Sequence, residues 1–368
     1  MYLSSIFLNN YKNYREEEVI FTSKVNCFFG LNGSGKTNIL DAVYYQSFCK
    51  SYLNVVDRQN IRINETFFAI NGHWVKDGKD ITIQCSLKHG GKKIIKKNKK
   101  EYEKLADHIG LFPVVMISPY DRDLLSEGSE LRRKWIDSII SQFDKAYLQT
   151  LQRYKKVLEQ RNALLKNMFE HGLFDRESIE VWNDQLVQSG NIIHEKRLKF
   201  INEFLPVFQE RYNYIGLEEE AVQITYKSQL NDAPFSELLV QYEKRDAFSQ
   251  YTNCGIHKDD LVFTIKDHPI KKFGSQGQQK SFVIALRLAQ YEWLKNHLNV
   301  APVLLLDDIF DKLDTSRVKK LMELVSNHYF GQIIITDTEE DRLRHLFGNL
   351  DIERKFFNVE KGCVTEIL

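Results

Sequence analysis

The sequence predicts an α/β fold organised around a nucleotide-binding P-loop and carrying an inserted α-helical lobe. Three observations support this. The loop Gly30-Leu31-Asn32-Gly33-Ser34-Gly35-Lys36-Thr37 matches G-x-x-x-x-G-K-[ST] and joins an apolar strand, Val25 to Phe29, to a helix running on through Asn38, Ile39 and Leu40. A second continuous apolar strand, Val303 to Leu306, ends in the carboxylates Asp307 and Asp308. Between them, after Ser118-Pro119, the apolar period changes from two to about 3.5, which marks helices in place of strands.

Composition narrows the function classes. At 368 residues the chain exceeds one ordinary core, so two lobes are expected. Lys and Arg (51) nearly balance Asp and Glu (50), so any contact with nucleic acid must come from local patches. The five cysteines, Cys27, Cys49, Cys85, Cys254 and Cys363, are scattered and form no C-x-x-C pair, which points to a reduced, cytoplasmic protein without a zinc site. The N-terminal stretch lacks the basic and apolar regions of an export signal. No apolar run approaches the length that spans a bilayer.

In chain order, Leu3 to Leu8 reads as a first strand, and the polar turn Asn9 to Tyr14 returns the chain to the P-loop strand. Phe67 to Val75 and Ile81 to Leu87 read as antiparallel strands, with His89-Gly90-Gly91 turning into a lysine-rich segment. That segment, Lys92, Lys93, Lys96, Lys97, Lys99 and Lys100, is the densest positive charge in the chain. It suits either a solvated hairpin or contact with a phosphate backbone. Val114 to Ile117 is an apolar strand, and a helical lobe follows. Leu151, Tyr154, Leu158, Leu165 and Met168 form one stripe, interrupted by Arg161. Ile179, Trp182, Leu186, Ile193, Phe200 and Phe204 form another. The two helices should be about 20 to 28 residues each, roughly 30–40 Å, and antiparallel across His171 to Asp175. Pro206 and the mixed segment 216–227 lead back toward strands, with the sheet resuming near Leu261 to Ile265. The expected division is an ATPase lobe of 1–120 and 245–368 around a helical arm lobe of 121–244.

The P-loop needs glycine because its backbone must curl around an anion with N–H groups pointing inward. Gly30, Asn32, Gly33, Ser34, Gly35, Lys36, Thr37 and Asn38 are the expected ATP-binding residues. Lys36 would reach the β/γ-phosphates and the Thr37 hydroxyl would ligate Mg²⁺. The strand ending in Asp307 and Asp308 places carboxylates at the ligand crevice of a parallel sheet. Asp307 is the expected second Mg²⁺ residue, and Asp308, with Lys36, the expected catalytic group, Asp308 orienting or deprotonating water. Ser275-Gln276-Gly277-Gln278-Gln279 precedes a strong helix, and Ser275 with Gln278 has capping-box spacing. That stretch serves either as a helix start or as a second anion site.

The order of these pieces resembles the ABC-type ATPase heads of the SMC and Rad50 group, and more closely the RecF family. The resemblance is carried by Asn9 to Tyr14, Gly30 to Thr37, Ile117-Ser118-Pro119, Gly128 with Arg132-Arg133, Gly255 with His257 to Leu261, Ser275 to Lys280, and Val303 to Asp308 followed by Leu313-Asp314. It implies that each ATP is held between the P-loop of one subunit and the signature stretch Ser275 to Gln279 of a second, so that ATP drives homodimer formation and hydrolysis releases it. It also implies binding to double-stranded DNA and to its junctions with single strands, in recombinational repair and replication-fork maintenance, where the family works with RecO and RecR to load recombinase. A nucleoid-associated, cytoplasmic location follows. Lys92, Lys93, Lys96, Lys97, Arg132 and Arg133 are the candidate DNA contacts, with Arg153, Lys155 and Lys156 on the arm as further cations.

Some residues depart from the group's pattern. Asp308 stands where most ABC ATPases have Glu, although Asp-Asp is usual in RecF-like sequences; its shorter side chain implies slow ATP hydrolysis, and the resemblance implies a weak ATPase stimulated by DNA. Thr336-Asp337-Thr338 replaces the usual switch histidine, Lys280 takes a place commonly held by Arg, and Ile256-His257-Lys258 departs from Pro-His-Arg. Gln59 is the candidate Q-loop residue. The competing readings are a P-loop kinase for a small metabolite, a transporter ATPase subunit, and an SMC/Rad50-like tethering head. The last needs a far longer coiled coil than this arm supplies.

Overall fold

The computed structural model describes all residues except 173, 217–219, 311–313, 349 and 368, so Leu313 of the Leu313-Asp314 pair lies outside the described residues. Among the described residues, no helix is long and apolar enough to cross a membrane. The chain divides into two compact units: Met1–Asp121, Tyr214–Leu217 and Lys280–Leu368 form one, and Arg122–Asn213 with Glu218–Gln279 the other.

The first unit holds two six-stranded sheets. One is antiparallel, in the order Tyr14–Ile20, Tyr2–Tyr11, Phe67–Lys76, Lys79–Lys88, Ile94–Lys97, Lys100–Glu101. The other runs Cys363–Ile367, Arg354–Glu360, Val25–Phe29, Ile333–Asp337, Val303–Asp307, Val114–Ile117, parallel throughout except for its first strand. Its central strands are buried along their whole length, as the unbroken apolar runs require of strands covered on both faces. Helix Lys36–Phe48 buries Ile39, Leu40, Val43 and Tyr45 in a core shared with Leu3, Ile6, Phe68 and Trp74 of the antiparallel sheet and Phe28 and Leu305 of the parallel one. Register sets the site: Phe29 pairs with Asp337 and Thr336 with Asp307, so the P-loop and the Asp307 carboxylate leave the sheet at the same edge.

The second unit is built on helices Ser129–Phe143, Lys145–His171, Arg176–Ile215 and Phe235–Ser249 and a three-stranded antiparallel sheet of Val222–Lys227, Asp260–Ile265 and His268–Pro269. Both expected stripes are helical, with Leu158 and Trp182 only half-buried. The helices are antiparallel: Arg161 reaches Asn183, whereas Arg197 reaches back to Tyr147. The second helix runs 40 residues and continues through Pro206, beyond the expected 20 to 28. Phe204, Phe208, Tyr212 and Ile215 are all buried on its continuing stripe, and that packing outweighs the hydrogen bond proline forgoes. Strand Asp260–Ile265 does not resume the ATPase sheet. It pairs with Val222–Lys227, and both alternate buried with more exposed residues, the pattern of a sheet covered on one face. The late segment of the first unit accordingly begins at Lys280, not at 245, and the division falls within the helix Gln276–Leu298.

Charges inside the second unit explain the break in its apolar stripe. Arg161 is buried and bonds Asp246 (2.8 Å), Thr252 (2.8 Å) and Asn183 (2.8 Å). Arg197 is likewise buried, paired with Asp137 (2.9 Å) and Asp259 (2.8 Å) and donating to the Ile256 carbonyl (2.9 Å). The Asp137 and Asp259 interactions favour the charged guanidinium against the opposing effect of its burial. Gly255 sits at φ +116°, where a Cβ would fall 2.5 Å from Phe235 and 2.8 Å from the Tyr154 hydroxyl. His257 bridges Tyr154 (2.8 Å) and the Thr252 carbonyl (3.0 Å), and burial lowers its pKa to about 4. The stretch from Gly255 to Asp260 is thus a structural knot of this unit.

Candidate nucleotide site

The P-loop backbone follows its glycines. Gly30, Gly33 and Gly35 take φ values of +149°, +79° and +120°, a region that residues with a Cβ rarely enter. Around Gly35 the space is also taken, since a Cβ there would lie 2.4 Å from Asn13 Nδ2 and 2.8 Å from the Tyr14 hydroxyl. Those two residues strap the loop. Asn13 donates to the Ser34 carbonyl (2.9 Å) and accepts from Asn38 (2.7 Å), and Tyr14 donates to the Gly35 carbonyl (3.0 Å). The Gly362 amide adds a bond to the Ser34 carbonyl (3.2 Å) from the turn before the last strand.

Behind the loop, Asp41 anchors the P-loop helix. Fully buried, it accepts from Tyr11 (2.6 Å), Ser51 (2.7 Å) and the Tyr52 amide (2.6 Å), and pairs with Lys12 at 2.5 Å. The Asn9 to Tyr14 turn therefore holds both the C-terminal end of the loop and the helix that follows it, a role that residue type alone did not reveal.

The expected chemical groups converge on one place. Lys36 folds over the loop, its ammonium on the carbonyls of Gly30 (2.8 Å) and Leu31 (3.2 Å). Thr37 Oγ1 donates to Asp307 Oδ1 at 2.9 Å, and Thr336 Oγ1 donates to the same oxygen at 2.8 Å. Burial raises the Asp307 pKa, and the bonds from Thr336 and Thr37 oppose that shift. Asp308 follows at φ +45°, so the chain turns sharply after the strand, with its amide on Thr336 Oγ1 (3.1 Å). Thr336 therefore holds the Asp307 carboxylate and the Asp308 backbone amide through one hydroxyl.

The donor set fits the nucleotide and ion implied by the motif. The Ser34 hydroxyl is buried within the loop without a partner among the described residues, a donor suited to a phosphate oxygen. Thr37 and Asp307 offer the hard oxygen ligands that Mg²⁺ takes alongside nucleotide phosphates.

The signature stretch lies in the second unit and forms the capping box its spacing predicts. The Ser275 amide donates to Gln278 Oε1 (2.7 Å) and the Gln278 amide to Ser275 Oγ (3.2 Å). Gln278 also donates to Glu220 (2.6 Å), and Gln279 to the Gly274 carbonyl (2.9 Å). Ser275 and Gln276 are exposed, and Gly277 is partly so. Gln59 is exposed on the short helix Asp57–Asn60.

The DNA candidates separate into two kinds. Lys92 is exposed, and Lys96 and Lys97 are partly so on the strand Ile94–Lys97. Lys93 instead pairs with Asp57 (2.5 Å) and donates to the Cys49 carbonyl (2.6 Å). Arg132 forms a two-pronged pair with Asp260 (2.7 and 3.1 Å) and donates to the carbonyls of Leu124 and Glu127. Arg133 bonds Ser129 and the Asp259 carbonyl, each at 2.6 Å. These three cations are committed to internal structure.

Comparison with known proteins agrees with this architecture. Residues 2–355 match the family model for the RecF/RecN/SMC N terminal domain. The chain is 49% identical over 359 residues to the DNA replication and repair protein RecF of Flavobacterium johnsoniae, covering 98% of this chain and 100% of that one. It is 47% identical over 368 residues to the protein of the same name from Bacteroides thetaiotaomicron, covering 100% of this chain and 99% of the relative. A solved structure of the recombination mediator protein RecF with ATP in the RecFOR pathway superposes with a TM-score of 0.90 at 26% identity, covering 100% of this chain and 98% of that one. An Smc head bound to the C-winged helix domain of ScpA shares the fold at a TM-score of 0.57 and 14% identity, covering 100% and 97%. With its P-loop, its Asp307 strand and an arm lobe inserted into an ABC-type head, the chain belongs to the RecF family.

Proposed function

We propose that the chain is an ATP-dependent DNA-binding protein of replication and recombinational repair, which closes on DNA as a homodimer and hydrolyses ATP slowly. The observation that carries this reading is the pairing of one complete phosphate and metal-ligand set, Ser34, Lys36, Thr37 and Asp307, with an exposed capped helix start at Ser275. The relatives carry the names of a DNA replication and repair protein and a recombination mediator, and we extend both roles to this chain.

In this reading Ser34 and the loop amides hold the β- and γ-phosphates, and Lys36 leaves the carbonyls of Gly30 and Leu31 to meet their charge. Bound Mg²⁺ supplies charge neutralisation at the phosphates. Thr336 fixes Asp307 toward that ion and aims Asp308, whose carboxylate orients water. Because Asp308 is one methylene shorter than glutamate, its reach to that water is poorer and turnover is slow. Ser275 to Gln279 of a second copy complete the γ-phosphate shell, so a single chain holds ATP without closing the site. The dimer binds duplex DNA and its junctions with single strands, and with RecR and RecO it aids recombinase loading.

The test is size-exclusion chromatography with ATP and Mg²⁺, using Asp308→Asn to retain the nucleotide. The expected outcome is conversion from monomer to dimer, weakened by Lys36→Met and by Ser275→Arg. A D308N protein that stays monomeric under saturating ATP refutes completion of the site by a second copy. An ATPase rate rising faster than linearly with protein concentration, and further with duplex DNA, is expected alongside.

A further inference from the structure

The second unit presents an aromatic surface that the nucleotide site does not use. Helix Phe235–Ser249 ends at Gln250, which has a φ of +62°. On either side of this cap, Phe248 is 81% exposed and Tyr251 47% exposed. The turn beneath them is rigid. Asn253 donates to Asp246 (2.9 Å), Ser249 (2.7 Å) and the Tyr251 carbonyl (2.9 Å), and the Thr252 amide donates to Asn162 (2.8 Å). Asp246 in turn holds the buried Arg161. None of these bonds involves the two aromatic side chains, so the fold displays the rings without needing them.

Cations accompany the rings. Lys258 Nζ lies 5.2 Å from the Tyr251 ring centroid, and Arg245 lies 5.8 Å from that of Tyr242 on the same helix. Lys244 is exposed, one turn before Phe248. On this helix the acidic Glu243 is partnered by Arg176 at 3.5 Å, and Glu237 stands at the opposite, N-terminal end. The packed helix Lys145–His171, which supplies Asn162, adds exposed Lys155 and Lys156 against exposed Glu159. Protein interfaces are poor in lysine, whereas rigid aromatic faces set among cations suit stacked bases joined by phosphates. We infer that Phe248 and Tyr251, with Lys258 and Lys244, form a stacking platform for single-stranded DNA on the arm unit. This rests on the DNA-binding reading above and assigns the single-stranded part of a junction to a particular surface.

The experiment is fluorescence anisotropy of the full-length protein with fluorescein-labelled oligo-dT and, separately, a blunt duplex of equal length. Phe248→Ala with Tyr251→Ala should weaken oligo-dT binding about tenfold or more, given the usual worth of a base–aromatic stack. Tyr251→Phe should retain wild-type affinity, and duplex binding should be unchanged in all variants. Lys258→Gln should shallow the salt dependence on oligo-dT by about 0.7 in log–log slope. The inference is overturned if the double variant binds oligo-dT like wild type, if it loses duplex and oligo-dT binding equally, or if wild type binds duplex but not oligo-dT. Loss of all DNA binding by the wild-type protein would instead overturn the broader reading. Thermal melting of the double variant alongside Y251F separates removal of the stacking rings from damage to the fold.

Discussion

Replacing Gly35 by Ala should damage nucleotide binding far more than the same change at Gly33, although both belong to one motif. At Gly33 an added Cβ meets nothing within 4 Å, so the substitution costs only the strain of φ +79°, about 1–2 kcal/mol. At Gly35 the φ of +120° is less accessible still, and the new methyl would sit 2.4 Å from Asn13 Nδ2. Backbone strain of roughly 1–3 kcal/mol then combines with displacement of Asn13, whose bond to the Ser34 carbonyl is worth about 1 kcal/mol. The loop relieves this by leaving its curled conformation, and nucleotide binding must restore it. A total of about 2–4 kcal/mol corresponds to ATP binding weakened roughly 30- to 1,000-fold, against about tenfold for Gly33→Ala. Isothermal titration with ATP and Mg²⁺, on variants shown to retain the wild-type melting temperature, measures both. Equal losses at the two positions would refute the view that the Asn13-Tyr14 strap shapes the loop.

Arg197→Met should destabilise the second unit by roughly 3–5 kcal/mol in urea denaturation, because Asp137 and Asp259 would be left buried without their cation; Asp259→Asn in the same chain should restore part of the loss. His257 and His108 both have pKa values lowered by burial to about 4, so the folded protein keeps them neutral while the unfolded chain takes up protons. Their contribution is therefore complete above pH 6.5 and is lost as pH falls toward 4, by up to about 3 kcal/mol each, and melting temperatures followed from pH 7 to 4.5 should drop less steeply in His257→Gln than in wild type. Replacing Lys92, Lys96 and Lys97 by Gln should shallow the salt dependence of duplex binding by about 0.9 for each phosphate no longer neutralised, whereas Lys93→Gln should leave the slope alone and loosen the Cys49 and Asp57 ties.

The parallel core was legible because its strands lie between two covered faces and must be apolar throughout. Val25–Phe29, Val303–Asp307 and Ile333–Asp337 could hardly be read otherwise. The arm's strands were harder to place. Asp260–Ile265 has a clear alternating pattern, but alternation tells which face is buried and not which sheet supplies the partner. Pro206 misled for the opposite reason: local chemistry argued for an end, and buried aromatic and aliphatic side chains beyond it carried the helix on.

At the site, what could be read was what phosphate chemistry restricts to few residue types. Gly30, Gly35, Lys36, Thr37 and Asp307 have little latitude, and the structure brings Thr37 and Asp307 into direct contact. Thr336, Asn13 and Asp41 hold those groups by ordinary hydrogen bonds that many polar residues could make, so their residue types did not reveal these supporting roles. The same distinction sorts the recognisable stretches outside the loop. Gly255 to Asp260 carries the family resemblance because its residue types are unusual together, and its aspartates neutralise Arg197 and Arg132 while its histidine ties a turn to a helix. Ser275 to Gln279 is equally distinctive, and its capping box satisfies backbone groups while leaving Ser275 exposed. An unusual motif whose aspartates and histidine are tied to partners within its own unit accounts for itself through folding. One whose satisfied groups remain exposed at a helix start retains both a donor and the positive end of the helix for something outside the chain, which is why Ser275, and not His257, is the residue to alter in testing for a second copy.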